Sequence, residues 1–338
     1  MIARRARLGA MVALLTALLA GVLLFPAMAQ DNEVYADGLL NPRNLSFDAD
    51  GNLYVAEAGV AGEQMTSADT AYGATARVSL IAPDGSRSVA VSGLISYRAG
   101  NSLGAHAVLA TDESLWVLLG ETTEFTIPFT HALVELNKAN GRVQNFIDML
   151  ALELDEDPDG NPNQQSNPTD FDVAPDGTIL IANAGCNCLM SWTPEAGLAA
   201  AVVWPFETDN PVPTSVEIGP DGDIYVGFLT GFPFPEGGSR IERWRDGELI
   251  QTYEGLTAVT GLEVTEDGTI YAVEFGVFNQ GWQPGRVVMV DDTGVTPVLE
   301  GLNTPYGITQ GPDGRLYVTV NSSTGAGDGQ VIVFDPMS

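Results

Sequence analysis

The sequence predicts an all-β fold, a six-bladed β-propeller closed by an N-terminal strand that completes the last blade. Three observations lead there: a unit that recurs six times, an Asp-Gly turn within most copies, and a signature shared by the outer strands and the start of the fold. The units open near Asn41, Leu103, Asn167, Val212, Ala258 and Thr304. The last four lie roughly 46 residues apart, the spacing of four-stranded blades.

Each unit begins with a short apolar-alternating run, such as Leu45-Ser46-Phe47, and returns after Asp-Gly through a second run such as Leu53-Tyr54-Val55. Glycine accepts the positive φ that such a hairpin turn demands. A second hairpin completes the unit at Arg77–Ile81 and Ser88–Leu94, around Asp84-Gly85. Its counterparts are Ala132–Ile147, Leu189–Val203, Arg240–Tyr253 and Arg286–Leu299. The sixth unit stops after Val331–Phe334, one strand short. Outer strands elsewhere end in Ser92-Gly93-Leu94, Glu254-Gly255-Leu256 and Glu300-Gly301-Leu302, and Asp37-Gly38-Leu39 repeats that signature near the N-terminus. The early strand is therefore expected to supply the missing edge.

Composition narrows the function. With 45% hydrophobic residues a packed core forms and wholesale disorder is excluded. The net charge is −30, with Lys138 the only lysine, so no basic surface for nucleic acid or anionic lipid can be assembled. An acidic monomer is expected. Residues 1–29 read as a signal peptide: Arg4, Arg5 and Arg7, then the apolar run Leu8–Phe25, then Pro26 and the small-x-small site Ala27-Met28-Ala29. The apolar run is almost long enough to span a bilayer, so an uncleaved anchor is the alternative. No later segment could span one. Residues 30–338 form the propeller of a secreted or extracytoplasmic protein. Cys186 and Cys188 are too few for a disulfide framework or a cysteine zinc site; they read as a local disulfide or two partly buried thiols.

Blade topology puts the long connections on one face, opposite the Asp-Gly turns, and function concentrates in such loops. Insertions at Glu57–Ala76, Gly120–His131 and Gly227–Ser239 fall there. Aligning the units gives one column of Asn44, His106, Asp170, Ser215, Gly261 and Gly307, and a second of Ser46, Val108, Asp172, Glu217, Glu263 and Thr309. His106, Asp170, Asp172, Glu217 and Glu263 are expected near the axis, where carboxylates suit a hard cation such as Ca²⁺. Alternatively they cap backbone amides or pair with Arg43, Arg77 and Arg98. Asp155, Asp157 and Asp159 form a D-x-D-x-D-G run, the first half of a calcium loop. Ser166 stands where such a loop has its bidentate glutamate, and no helix is expected beside it, so a solvated acidic loop is the competing reading. Phe232, Phe234, Phe275, Phe278 and Trp282 fall in adjacent loops and suggest an apolar patch for a flat ligand or a partner chain, or a cluster packed on itself. There is no G-x-S-x-G and no H-E-x-x-H, and His106 and His131 are the only histidines.

Several segments carry a family resemblance. Ser166-Asn167-Pro168, Val212-Pro213-Thr214-Ser215-Val216 and Leu229–Pro235 followed by Gly237-Gly238-Ser239-Arg240 resemble the ScyD/ScyE family, as do Asn41-Pro42-Arg43, Ala56–Gly59 and Gly104-Ala105-His106. The likeness covers the mature chain. Thr169-Asp170, Cys186-Asn187-Cys188 and the long loop 62–76 depart from it. The resemblance implies an exported propeller, in a family named for an association with biosynthesis of an aromatic sunscreen pigment. The expected function is binding of a small ligand, aromatic or otherwise, or of a partner on the loop face. The alternative is a Ca²⁺-dependent lactonase or hydrolase, with axial carboxylates holding the ion and His106 or an acid as base. A quinone-dependent enzyme is disfavoured by the scarcity of arginine.

Overall fold

A computed structural model describes residues 32–66, 70–99, 101–121, 127, 129–206, 210–325 and 327–336. The expected signal peptide lies outside the described residues. Six antiparallel sheets form six propeller blades, and in all but the last their strands run outward from the axis in chain order. In the third blade these strands are Pro168–Val173, Ile179–Asn183, Cys188–Thr193 and Gly197–Val203. The Asp-Gly turns work as read. Gly177 and Gly222 sit at φ 87° and 82°, and Asp176 and Asp221 accept the amides of Thr178 and Asp223.

The core is a ring of interfaces. Each of six buried apolar clusters joins one blade to the next. One of them, with Leu39, Val331 and Tyr317 against Leu45, Leu53 and Ile81, joins the last blade to the first. The strand Glu33–Leu39 pairs antiparallel with Gly329–Phe334, so the N-terminal strand completes the sixth blade as expected. Beside the axis the two ends also meet closely: a Cβ on Gly307 would lie 2.7 Å from Asn44 Cα, so this position excludes a side chain.

Three local features differ from the sequence expectation or decide between its alternatives. The insertion in the first blade is a β-ribbon rather than a loop. Its hairpin lengthens to Ala71–Ile81 and Arg87–Ala99, with the short strands Gln64–Met65 and Asn101–Leu103 beside it. A helix, Met149–Glu156, precedes the acidic loop, where none was expected. Asp148 caps it by accepting the amides of Leu150 and Ala151, and it ends at Asp157 in the left-handed region, φ 45°. Cys186 and Cys188 form a disulfide. Among the described residues no helix is long and apolar enough to cross a membrane.

Candidate ligand pocket

The start of five of the six inner strands carries the same irregularity. The pairing register skips one or two residues between Pro42 and Leu45, Ala105 and Ala107, Pro168 and Asp170, Pro213 and Ser215, and Val259 and Gly261. A bulge of this kind breaks the period-two alternation and re-aims the extra side chain. The skipped residues include Arg43, His106, Thr169, Thr214 and Thr260, and Tyr306 takes the equivalent place in the sixth blade. All six line one cavity of about 210 Å³ on the loop face. Their neighbours Asn44 and Asp170 line a second cavity, of about 230 Å³, in the central channel.

The threonines tie the ring together. Thr214 Oγ1 donates to Val259 O at 2.7 Å and Thr260 Oγ1 to Tyr306 O at 3.0 Å, each reaching the next blade. The other three bulge residues supply chemistry. Arg43 is buried; its Nη2 donates to Ser102 O at 2.7 Å and its guanidinium lies 4.5 Å from the centre of the Tyr306 ring. Its Nε has no hydrogen-bond partner, and among the described residues no carboxylate lies within ion-pair distance of it. His106 Nδ1 lies 2.9 Å from Pro168 O. A carbonyl can only accept, so Nδ1 carries the proton and Nε2 presents a lone pair, which is also unpartnered. Burial, then the charge of Arg43, pushes the His106 pKa down to about 3, so the ring is neutral near pH 7. Any side chain at Gly120 would collide with this ring. Phe275, Trp282 and Leu229 wall the cavity, and Glu121, raised in pKa by burial, stands with them.

The axial carboxylates converge, but in the channel and not with His106. Asp170 accepts from Asn44 Nδ2 at 2.8 Å and from the Val216 amide at 3.2 Å; Asp172 accepts from the Ile218 amide at 2.9 Å. These bonds cross from blade to blade, so both acids cap amides, the second of the two readings. No three axial acids bring a ligand atom each within 4.8 Å of one another among the described residues. Burial pushes Asp170 up to about 8 and Glu263 to about 7, against the pull of hydrogen bonds; Glu217 rises through burial and then the neighbouring Glu263. A raised acid is protonated in the fold at a pH where the unfolded chain has already ionised. Its stabilising contribution is complete below about pH 4 and is lost as pH climbs through about 7 to 8. The melting temperature is therefore expected to fall by several degrees between pH 5 and pH 8. Glu217→Gln should flatten that slope; a parent-like slope in this variant would show that Glu217 does not contribute to it.

The aromatic loops come together as one cluster. Phe232, Phe234 and Phe278 lie with ring centres 5.5–6.0 Å apart, and Trp282 is 4.9 Å from both Phe234 and Phe275. Phe275 and Trp282 reach the cavity, whereas Phe232 is 75% exposed at the rim. Phe228 of the same sequence stretch is core. A Phe232→Ser, Phe234→Ser double variant should keep its fold and lose less than the roughly 3 kcal/mol of a fully buried phenylalanine, measured by denaturant unfolding.

The acidic run divides. Asp155 lies exposed on the helix, whereas Asp157 and Asp159 meet the buried Glu153, with one ligand atom from each of the three within 4.8 Å of the others. Sequence reasoning missed Glu153 because it did not see the helix. It missed Arg43 as a site residue, and Tyr306 altogether, because it aligned the column one place beyond most of the bulges. An arginine and a tyrosine in a column otherwise rich in threonine were the available signal.

No protein-family model and no curated protein sequence matches the chain. Among solved structures it is similar to a gluconolactonase from Xanthomonas campestris, with TM-score 0.58, 14% identity and 91% of each chain covered. A glucose dehydrogenase has TM-score 0.58 and 15% identity, with 90% of this chain and 99% of that one covered. A streptogramin B lyase has TM-score 0.52 and 11% identity, over 90% and 96%. At these identities the likeness shows the propeller fold and nothing finer.

Proposed function

We propose that this is an exported binding propeller whose loop-face pocket takes a small aromatic molecule with an acidic or carbonyl oxygen and a hydroxyl. One observation carries this reading. Two buried polar atoms without partners, Arg43 Nε as donor and His106 Nε2 as acceptor, line a cavity walled by Phe275, Trp282 and Tyr306. Unpartnered buried polar groups are costly, and a ligand bearing the complementary groups would satisfy both. The lactonase alternative has a gluconolactonase among the similar structures in its favour, at the level of fold alone.

The test uses 4-hydroxybenzoate, benzoate and benzyl alcohol in calorimetric titration of the mature protein. The expected order of affinity is as written. Arg43→Met should weaken binding of the two acids roughly 10- to 100-fold, the size of a charged hydrogen bond. It should not lower the melting temperature, because it removes a desolvated cation that has no carboxylate partner. Absence of binding by all three probes, or unchanged affinity in Arg43→Met, would overturn the proposal.

A further inference from the structure

We infer that Glu153, Asp157 and Asp159 bind a calcium-like hard cation that pins the segment leading into the ligand pocket. Three carboxylates meet with a ligand atom each inside 4.8 Å. Oxygens on opposite sides of a Ca²⁺ ion, each about 2.4 Å from it, lie about 4.8 Å apart. A second observation is independent of the clustering. Glu153 is completely buried and its Oε2 has no hydrogen-bond partner; Asp157 Oδ1 is likewise buried and unpartnered. Buried acidic oxygens without donors call for a cation, and among the described residues no lysine or arginine pairs with any of the three acids.

The surrounding bonds hold these oxygens in place. Glu153 Oε1 accepts the Gln165 amide at 3.2 Å, and Gln164 Nε2 donates to Glu153 O at 3.1 Å. Asp159 Oδ1 accepts the Asn161 amide at 3.0 Å. Its Oδ2 accepts from Asn187 Nδ2 at 2.7 Å, and Asn187 sits inside the Cys186–Cys188 disulfide loop at φ 46°. An all-oxygen set favours Ca²⁺ over softer metals. The chain leaves this site through Ser166 to Asn167, which lines the pocket, so the ion would order one wall of it.

The test is thermal melting and calorimetric titration of the full mature chain, stripped with EGTA and dialysed into 150 mM NaCl, against Ca²⁺ and, separately, Mg²⁺. Ca²⁺ at a hundredfold excess over its Kd should raise the melting temperature by on the order of 5 °C, with one ion bound. Glu153→Gln and Asp157→Asn should each weaken Ca²⁺ binding at least tenfold. Glu153→Gln should also melt higher than the stripped parent, since it removes charge repulsion, so a folding defect cannot mimic the expected result. Asp155→Asn, on the exposed helix face, should bind like the parent. The inference is overturned by no Ca²⁺ response in the millimolar range, by parent-like binding in both site variants, or by an equal loss in Asp155→Asn, which would indicate diffuse attraction to an acidic surface.

Discussion

Removal of residues 32–39 is expected to abolish the stable folded monomer. The segment supplies the outer strand of the sixth blade, and its loss bares the edge of Gly329–Phe334. It also removes Leu39, completely buried between the last and first blades, and Tyr35, whose ring meets Tyr317 edge-on at 4.9 Å. Truncating one buried leucine alone costs about 2–5 kcal/mol, and the lost strand ladder adds to that. The sum is comparable with the whole stability of an ordinary domain. By contrast the ion pair of Glu33 with Arg315 is exposed, and Glu33→Ala should change stability by less than about 1 kcal/mol. The measurement is thermal unfolding with size-exclusion chromatography on the deletion, on Leu39→Ala and on Glu33→Ala. A deletion variant that stays monomeric and melts like the parent would show that closure of the ring does not depend on this strand.

The fold was legible because its determinants are local and repeated. An aspartate that accepts the amide two residues on, followed by a glycine at positive φ, writes the inner hairpins of the third to sixth blades into the sequence. The clasp was legible because Asp37-Gly38-Leu39 copies the ending of other outer strands, and Leu39, Leu256 and Leu302 are all buried. The site was less so. Period-two reasoning assigns successive residues to opposite faces, and the bulge breaks that rule at the residues that line the pocket. His106 was found because it stands in the aligned column; Arg43 and Tyr306 sat one place outside it. The helix before Asp157 was hidden because eight residues are too few for a periodic signal, and with it Glu153, the most buried acid of that group.

Glu57→Ala is expected to cost about 3–5 kcal/mol and to loosen the clasp from a distance. Glu57 ends the second strand of the first blade and is completely buried. Its carboxylate accepts from the Leu40 amide, from Ser79 Oγ and from Arg77, whose Nη2 lies 2.8 Å from Oε2. Arg77 Nη2 also donates to Gly38 O at 3.4 Å, so one buried acid ties the clasp to the body of the first blade. Removing it strands three donors at once, one of them charged. Glu274 holds the corresponding place in the fifth blade, where it accepts the Thr257 amide at 2.8 Å and pairs with Arg286, far along the chain from the clasp. Glu274→Ala should therefore cost a similar amount without opening residues 33–39. Denaturant unfolding measures the first effect, and hydrogen exchange of the clasp amides in both variants measures the second. A loss below about 1 kcal/mol for Glu57→Ala would show that its buried bonds are replaced by water. Equal clasp exchange in the two variants would show that global destabilisation, and not the local link through Leu40 and Gly38, releases the strand.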